Sequence, residues 1–294
     1  MTGDRPPSIR VHEDVALFRE AVTFTAAQTA FPARLIEKDY YCTVLLAYVT
    51  ETAGETVVFK GGTCLAKVIG DFYRLSEDLD FAISMPVDAR RAQRRRRVAG
   101  MKDAVADVAN SLPGFTRSQP LRGANNSTQY VGALSYRSPV SGQSETIKVE
   151  ISLREPLLAP VQQGSARTAL LDPVSGQPLV PEIALPCISK TEAWAEKFRA
   201  ALTRRDVAIR DFYDLDYAVR ALGMRPEAVE LADLVRQKVA VPGNDPVDVG
   251  RARLSALRAQ SETQLKSVLR QHDYDAFDLD RAFDIVAGMA QRVG

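Results

Sequence analysis

Phe59-Lys60-Gly61-Gly62-Thr63, followed by Ser76-Glu77-Asp78-Leu79-Asp80-Phe81-Ala82-Ile83, is the stretch of this 294-residue chain whose reading decides its fold. Glu55 to Phe59 is rich in β-forming residues, and the glycine pair then punctuates the chain. Cys64 to Ile69 reads as a short helix, and Leu79 to Ser84 as a strand that ends at Pro86. The order is strand, glycine pair, helix, turn, strand.

Gly61 and Gly62 let the backbone approach a phosphate closely, and the helix that follows offers unpaired N–H groups and a positive dipole end. Thr63 adds a hydroxyl, and Lys67 lies one helical turn on, where it could reach a triphosphate. A tight turn before a buried helix would use the same glycines, so the pair alone does not separate the two readings. The aspartates do more. Residues i and i+2 on a strand point to one face, which puts Asp78 and Asp80 side by side. Adjacent carboxylates repel unless protonated or bound to a cation, and hard divalent ions prefer such oxygens. A pair of ions roughly 4 Å apart is the usual device for moving a nucleotidyl group. A solvated acidic turn is the plain alternative, but Asp80 runs straight into the apolar Phe81-Ala82-Ile83. Glu150, in Ile147-Lys148-Val149-Glu150-Ile151, is the candidate third carboxylate; a strand with Glu150 on its solvent face beside Lys148 is the competing reading.

Outward from this stretch, residues 1 to 12 look like a loose arm, and Glu13 to Thr29 and Arg34 to Thr50 read as helices on either side of Phe31-Pro32. Asp88 to Leu112 is helical, Gly114 to Asn126 reads as a loop, and Gln129 to Arg137 and Glu145 to Leu153 as a strand pair. Residues 155 to 187 carry six prolines and read as an irregular connection. Ser189 caps a helix from Ile188 to Thr203, another runs from Arg210 to Leu222, and the remainder is helical apart from Pro242 to Pro246. Trp194 and Tyr213 fit the core of this helical half.

Composition excludes several classes. Hydrophobic residues make up 46% and the net charge is +1, so the chain buries an ordinary core and does not bind polyanions by bulk charge. Three dispersed cysteines argue against zinc or a disulfide framework, and two histidines against a His-rich metal site or a Ser-His-Asp triad. No signal peptide or membrane span is expected, and the setting expected is the cytoplasm. No heptad or apolar stripe supports an oligomer, so a monomer is expected.

The glycine turn, short helix and D-x-D strand resemble the polymerase-beta-like nucleotidyltransferase superfamily and, more closely, the AbiEii/MenT toxins of bacterial type IV toxin–antitoxin systems. Four segments carry this: Ile36-Glu37-Lys38-Asp39-Tyr40-Tyr41; Phe59 to Lys67; Leu75 to Phe81; and Lys190-Thr191-Glu192-Ala193 with Glu196-Lys197, then Arg210-Asp211-Phe212-Tyr213-Asp214-Leu215. The resemblance implies an α+β fold: a polymerase-beta-like nucleotidyltransferase core on a small mixed sheet, then a helical C-terminal lobe. The chain would be bilobed, with the nucleotidyltransferase domain and its N-terminal helices in 1–187 and the helical domain in 188–294. It implies that Gly61, Gly62 and Thr63 hold phosphates and that Asp78 and Asp80 hold magnesium. Lys190 and Asp211 would act from the helical half, Lys190 on the triphosphate as a point charge. Glu150 stands where many relatives have Asp, so Asp211 could take part of its role. The implied reaction joins a nucleoside monophosphate from an NTP to the 3′ end of tRNA, blocking aminoacylation and translation, with a cognate antitoxin as partner. A small-molecule or protein hydroxyl as acceptor, and a non-catalytic nucleotide- or RNA-binding module, are the alternatives.

Two further features stand out. Arg90, Arg91, Arg94, Arg95, Arg96 and Arg97 cover most of the circumference of one helix end, as a solvated face or as a phosphate-tracking patch for RNA. Ser76, two residues before Asp78, is a turn serine whose phosphorylation would crowd the site with negative charge.

Overall fold

The computed structural model describes residues 9–54 and 56–294. Residues 1–8 of the expected arm, and Glu55, lie outside the described residues. The chain divides into two units: one takes in the residues up to Leu157 together with Val161–Cys187, the other Leu158–Pro160 with Ile188–Gly294.

In the first unit the Asp14 carboxylate accepts from the Leu17 amide, capping α1 (Val15–Thr29). Pro32 then starts α2 (Ala33–Thr52), an N-terminal position where a missing N–H costs nothing. The strands β1 (Val58–Lys60), β2 (Leu79–Ala82), β3 (Phe115–Ala124), β4 (Gln129–Arg137), β5 (Ser144–Ser152), β6 (Gln162–Ala166) and β7 (Ile183–Cys187) form one mixed sheet in the order β3-β4-β5-β2-β1-β7-β6. On β5, Ile147, Val149 and Ile151 are buried while Lys148, Glu150 and Ser152 alternate with them towards solvent. α2 covers the buried face, where Tyr41 stacks on Tyr136 of β4 with ring centroids 3.7 Å apart. The other face carries the polar residues.

Three consecutive charges on α2 are buried: Glu37, Lys38 and Asp39 are 2%, 8% and 1% exposed. Each has its own partner, as burial of charge requires. Glu37 accepts from the Ser138 hydroxyl, Lys38 pairs with Glu77 and Glu145, and Asp39 takes the Lys67 ammonium at 2.6 Å and the Ala169 amide at 2.9 Å. This set fastens α2 to the β4–β5 hairpin, to the segment that leads into β2, to Lys67 after the glycine turn and to the chain after β6.

The helix expected from Asp88 to Leu112 is two, α4 (Arg91–Arg97) and α5 (Ala99–Ser111), with Val98 between them. The segment read as a loop after Gly114 is the edge strand β3. Its sequence hides this because only Phe115 and Leu121 of β3 are buried, and its register against β4 shifts between Gln119 and Arg122, around Pro120. The connection read as irregular holds β6 and β7. β6 is the opposite edge strand and β7 joins β1 through the single pair Phe59↔Cys187, so neither needs a long alternating pattern.

The second unit contains α6 (Lys190–Thr203), α7 (Ile209–Ala221), α8 (Val229–Ala240), α9 (Arg251–Gln260), α10 (Gln271–Ala276) and α11 (Leu279–Val293). Ser189 caps α6 by accepting from the Glu192 amide at 3.2 Å. Trp194, Phe198, Phe212, Tyr213 and Leu215 form its core. Glu192 is buried among three donors, the Leu158 and Ala159 amides and the Lys238 ammonium.

Candidate active site

Gly61 ends β1 and opens the short helix α3 (Gly61–Cys64), which continues as a wider turn to Ile69. Its φ of +75° belongs to glycine, and a Cβ there would lie 2.2 Å from Asp80 Oδ2. The backbone of the turn is therefore packed directly against a carboxylate of β2. A Cβ on Gly62 would meet Arg74 Nη2 at 2.7 Å and Ser76 Oγ at 3.1 Å. The Thr63 side chain is buried and its hydroxyl donates to the Asp78 carbonyl, tying turn to strand. Thr63 thus holds the turn's shape through its side chain, and its main-chain N–H, with those of Gly61 and Gly62, belongs to the helix's first turn, which lacks intrahelical acceptors.

Three strands set the acidic row. Asp80 faces Lys60 across the β1–β2 pair and Glu150 across the parallel β2–β5 pair. Burial, then the charge of Glu150, raise the Asp80 carboxyl to about 6, with Asp78 adding to the rise and Lys60 and Lys148 opposing it. Glu150 differs. Burial pushes its carboxyl up, but hydrogen bonds from Lys148 at 2.7 Å and Gln129 at 2.7 Å, with the charge of Lys148, leave it lowered. The neighbouring Glu77 is held down to about 2: burial opposes this, and the Arg34 and Lys38 hydrogen bonds outweigh it.

A magnesium ion fits Asp78 and Asp80. The Asp80 carboxyl is raised first by burial and then by the negative charge around it, and a bound cation favours its ionised form against both. Magnesium is commonly held by one or two carboxylates, the rest of its shell coming from water and substrate phosphate. Among the described residues no three acidic, histidine or cysteine side chains converge to hold an ion. Glu150, expected as the third metal ligand, is the register partner of Asp80, and its two oxygens accept from Gln129 and Lys148.

The second unit has a carboxylate pair of its own. Asp211 and Asp214 lie one turn apart on α7, and Lys197 of α6 sits 2.8 Å from each. Arg204 adds a contact to Asp211 at 3.1 Å. Burial raises the Asp211 carboxyl, and Lys197 and Arg204 more than reverse this, leaving it lowered.

With this arrangement in view, the similarities to known proteins are specific. The profile of the nucleotidyl transferase AbiEii toxins of type IV toxin–antitoxin systems matches residues 43–287. The chain belongs to this family. No curated protein sequence matches the chain. Among solved structures, the nucleotidyltransferase toxin MenT4 of Mycobacterium tuberculosis is 20% identical, with a TM-score of 0.60 over 94% of this chain and 92% of that one. The protein JHP933 of Helicobacter pylori is 16% identical, with a TM-score of 0.51 over 90% and 93%. At such identities these two report the shared fold. As an AbiEii family member the protein is a nucleotidyltransferase toxin, and membership implies a cognate antitoxin. Among the described residues no helix is long and apolar enough to cross a membrane.

Several residues expected in an AbiEii-type site are placed elsewhere. Lys67 does not reach a triphosphate: it is 0% exposed, and its ammonium is surrounded by Asp39, Thr43 and the Arg167 carbonyl. Arg94 is 4% exposed and donates to the Leu153 and Val87 carbonyls, so it anchors α4 and does not join the exposed patch. Arg90, Arg91, Arg95, Arg96 and Arg97 are exposed as expected. Lys190 is exposed, and its ammonium approaches the Leu222 carbonyl at 3.5 Å, while Asp211 meets Lys197. Ser76 is half-buried beside Gly62. Lys60, Lys197 and Asp214 stand in the stretches that carry the motif and the resemblance but have no role assignable from sequence, and Gln129 and Arg204 stand in none of them. Asp211-x-x-Asp214 was the available signal, since i,i+3 spacing puts both acids on one helical face.

Proposed function

We propose that this toxin transfers a nucleoside monophosphate from an NTP to the 3′ end of tRNA, and so blocks aminoacylation and translation. The observation that carries the reading is the contact of the Gly61 backbone with the Asp80 carboxylate. It puts a phosphate-accepting turn and an electron-rich acidic pair within one side chain's width of each other. Magnesium held by Asp78 and Asp80 would supply charge neutralisation at the transferred phosphate and its leaving pyrophosphate. The N–H groups opening α3 would orient the triphosphate. Asp80 lies between Lys60 and Glu150 in the row, where the ion it holds would activate the attacking hydroxyl, whose proton leaves to water. Glu150, locked by Lys148 and Gln129, keeps a fixed negative charge beside it. The exposed arginines of α4, in a chain of net charge only +1, favour a polyanionic acceptor over a small molecule.

The test is transfer of label from each α-labelled NTP to total tRNA with magnesium. Label at tRNA 3′ ends is expected, and Asp80→Asn should reduce the rate by about 10³-fold or more, in line with loss of a major electrostatic contribution. Label on a small molecule or a protein alone would replace the acceptor; an active Asp80→Asn enzyme would remove the assignment of the acidic pair.

A further inference from the structure

We propose that the arginine-rich helix end holds a pocket for one nucleotide of the acceptor RNA, upstream of the end that reacts. The proposal rests on the RNA-acceptor reading and adds a location to it. A cavity of about 350 Å³ is lined by Arg95, Arg96, Lys102, Asp103 and Tyr130, with Ala92 and Ala99 between them. That volume is at the lower end of the roughly 300–1,000 Å³ of small-ligand pockets, the size for one nucleotide. Three cations face one acid there, a net charge of +2. The two alanines leave open the space that longer side chains at those helical positions would fill.

The pocket is rigidly founded. Buried Arg94 fixes α4 by donating to the Leu153 carbonyl at 3.2 Å and the Val87 carbonyl at 2.8 Å. The Leu153 amide in turn donates to the Thr128 carbonyl at 2.7 Å. The turn before Thr128 holds Asn125, Asn126 and Ser127 all at positive φ (47°, 55° and 63°), a backbone that non-glycine residues adopt at a cost. Tyr130 follows directly, its ring against Gly123, where a Cβ would come within 3.0 Å of Cε1.

Strand geometry says which nucleotide the pocket takes. Tyr130 pairs with Ile151 and points to the helix-covered face. Its neighbour Gln129 points to the other face and donates to Glu150, the register partner of Asp80. Pocket and acidic row are thus on opposite faces of the sheet at the same end of β4. An RNA strand reaches both by passing round the Asn125–Thr128 turn, so the pocket serves a nucleotide upstream of the reacting 3′-hydroxyl and not the incoming NTP. The cations grip phosphate, and the base lies against the exposed alanine wall, over the buried Tyr130 at the pocket floor.

The experiment compares two triple variants that remove equal charge from exposed positions: Arg95→Gln/Arg96→Gln/Lys102→Gln in the pocket and Arg90→Gln/Arg91→Gln/Arg97→Gln outside it. Binding of a 5′-fluorescent single-stranded RNA is titrated over a range of salt, with thermal melts to verify folding. The pocket triple should lose about tenfold more affinity than the outside triple. Its log–log salt slope should also flatten by about 1, as expected for the one or two phosphates that flank a single nucleotide of a single strand. Ala99→Leu, which fills the pocket without altering charge, should weaken binding with the slope unchanged. Equal losses in the two triples, or full binding by Ala99→Leu, would overturn the pocket while leaving the RNA reading standing. A wild-type protein that binds no RNA would overturn both.

Discussion

Two pairs of aspartates, Asp78 with Asp80 and Asp211 with Asp214, carry the same formal charge in opposite surroundings. On β2 the negative charge is under-compensated: burial and Glu150 push the Asp80 carboxyl up to about 6. On α7 it is matched: Lys197 touches both acids and Arg204 one of them, so the Asp211 carboxyl is lowered despite burial. A carboxylate pair that the protein neutralises itself is part of how its unit is held together. A pair left repelling is stabilised only by a proton or by a cation from outside. The acids of the second unit thus have cations of the protein's own beside them, and on the proposed reading those of the first unit take theirs from bound magnesium.

The largest effect is expected from breaking the satisfied pair. Lys197→Met takes a 2.8 Å ion pair from each of two buried carboxylates and leaves Arg204 beside Asp211. Removing one partner of a buried ion pair costs about 3–5 kcal/mol, and the slight exposure of Lys197 points to the lower figure. Urea unfolding at neutral pH measures it. A variant within about 0.5 kcal/mol of wild type, the usual range for surface changes, would mean the second cluster is no more than a surface pair.

The opposite sign is expected on β2. The folded pKa of Asp80, about 6, stands above its unfolded value of 3.8. Its contribution to stability is fully present below pH 3.8, while the carboxyl is protonated, and is lost as pH rises through about 6. The displacement corresponds to at most about 3 kcal/mol, which solvent at the half-buried group reduces to about 1–2. In chelator, Asp80→Asn should therefore be more stable than wild type at pH 8 by about 1–2 kcal/mol, with the gap closing towards pH 4. Magnesium should narrow it at pH 8 by binding wild type alone. A variant less stable than wild type at pH 8 would show that the row is already compensated and would cancel the contrast.

What the sequence revealed and what it concealed divides along the same line. Glycine at positive φ beside a strand, and acids at i and i+2, are local facts of backbone and alternation, so the turn and the D-x-D pair were readable from the chain. Whether a charge is satisfied is a tertiary fact. Lys67 follows the glycine turn at the spacing of a phosphate ligand, yet its partner is Asp39, 28 residues away. Glu150 alternates as a metal ligand would, and its ion pair with Lys148 on the same strand face is a contact that the alternation does not announce. β3 and β6 were illegible for a related reason. An edge strand is paired on one side only and needs little apolar alternation, so its pattern resembles a loop.

The smallest expected effect tests the assignment of the second unit's lysine. Lys190 and Lys197 are seven residues apart and so share a face of α6, and both lie in the segment that resembles the toxin family. The structure distinguishes them by contact. Lys190 is exposed and approaches one carbonyl, Leu222, at 3.5 Å, whereas Lys197 is mostly buried and holds two aspartates at 2.8 Å. Lys190→Ala should change stability by less than about 0.5 kcal/mol, the usual range for a surface substitution. On this geometry its transfer rate should stay within about twofold of wild type, since a difference of that size is below about 0.5 kcal/mol of barrier. A rate reduced by about a hundredfold with stability unchanged would give Lys190 the point-charge role on the triphosphate, and would leave Lys197 as the clamp that shapes α7 beneath it.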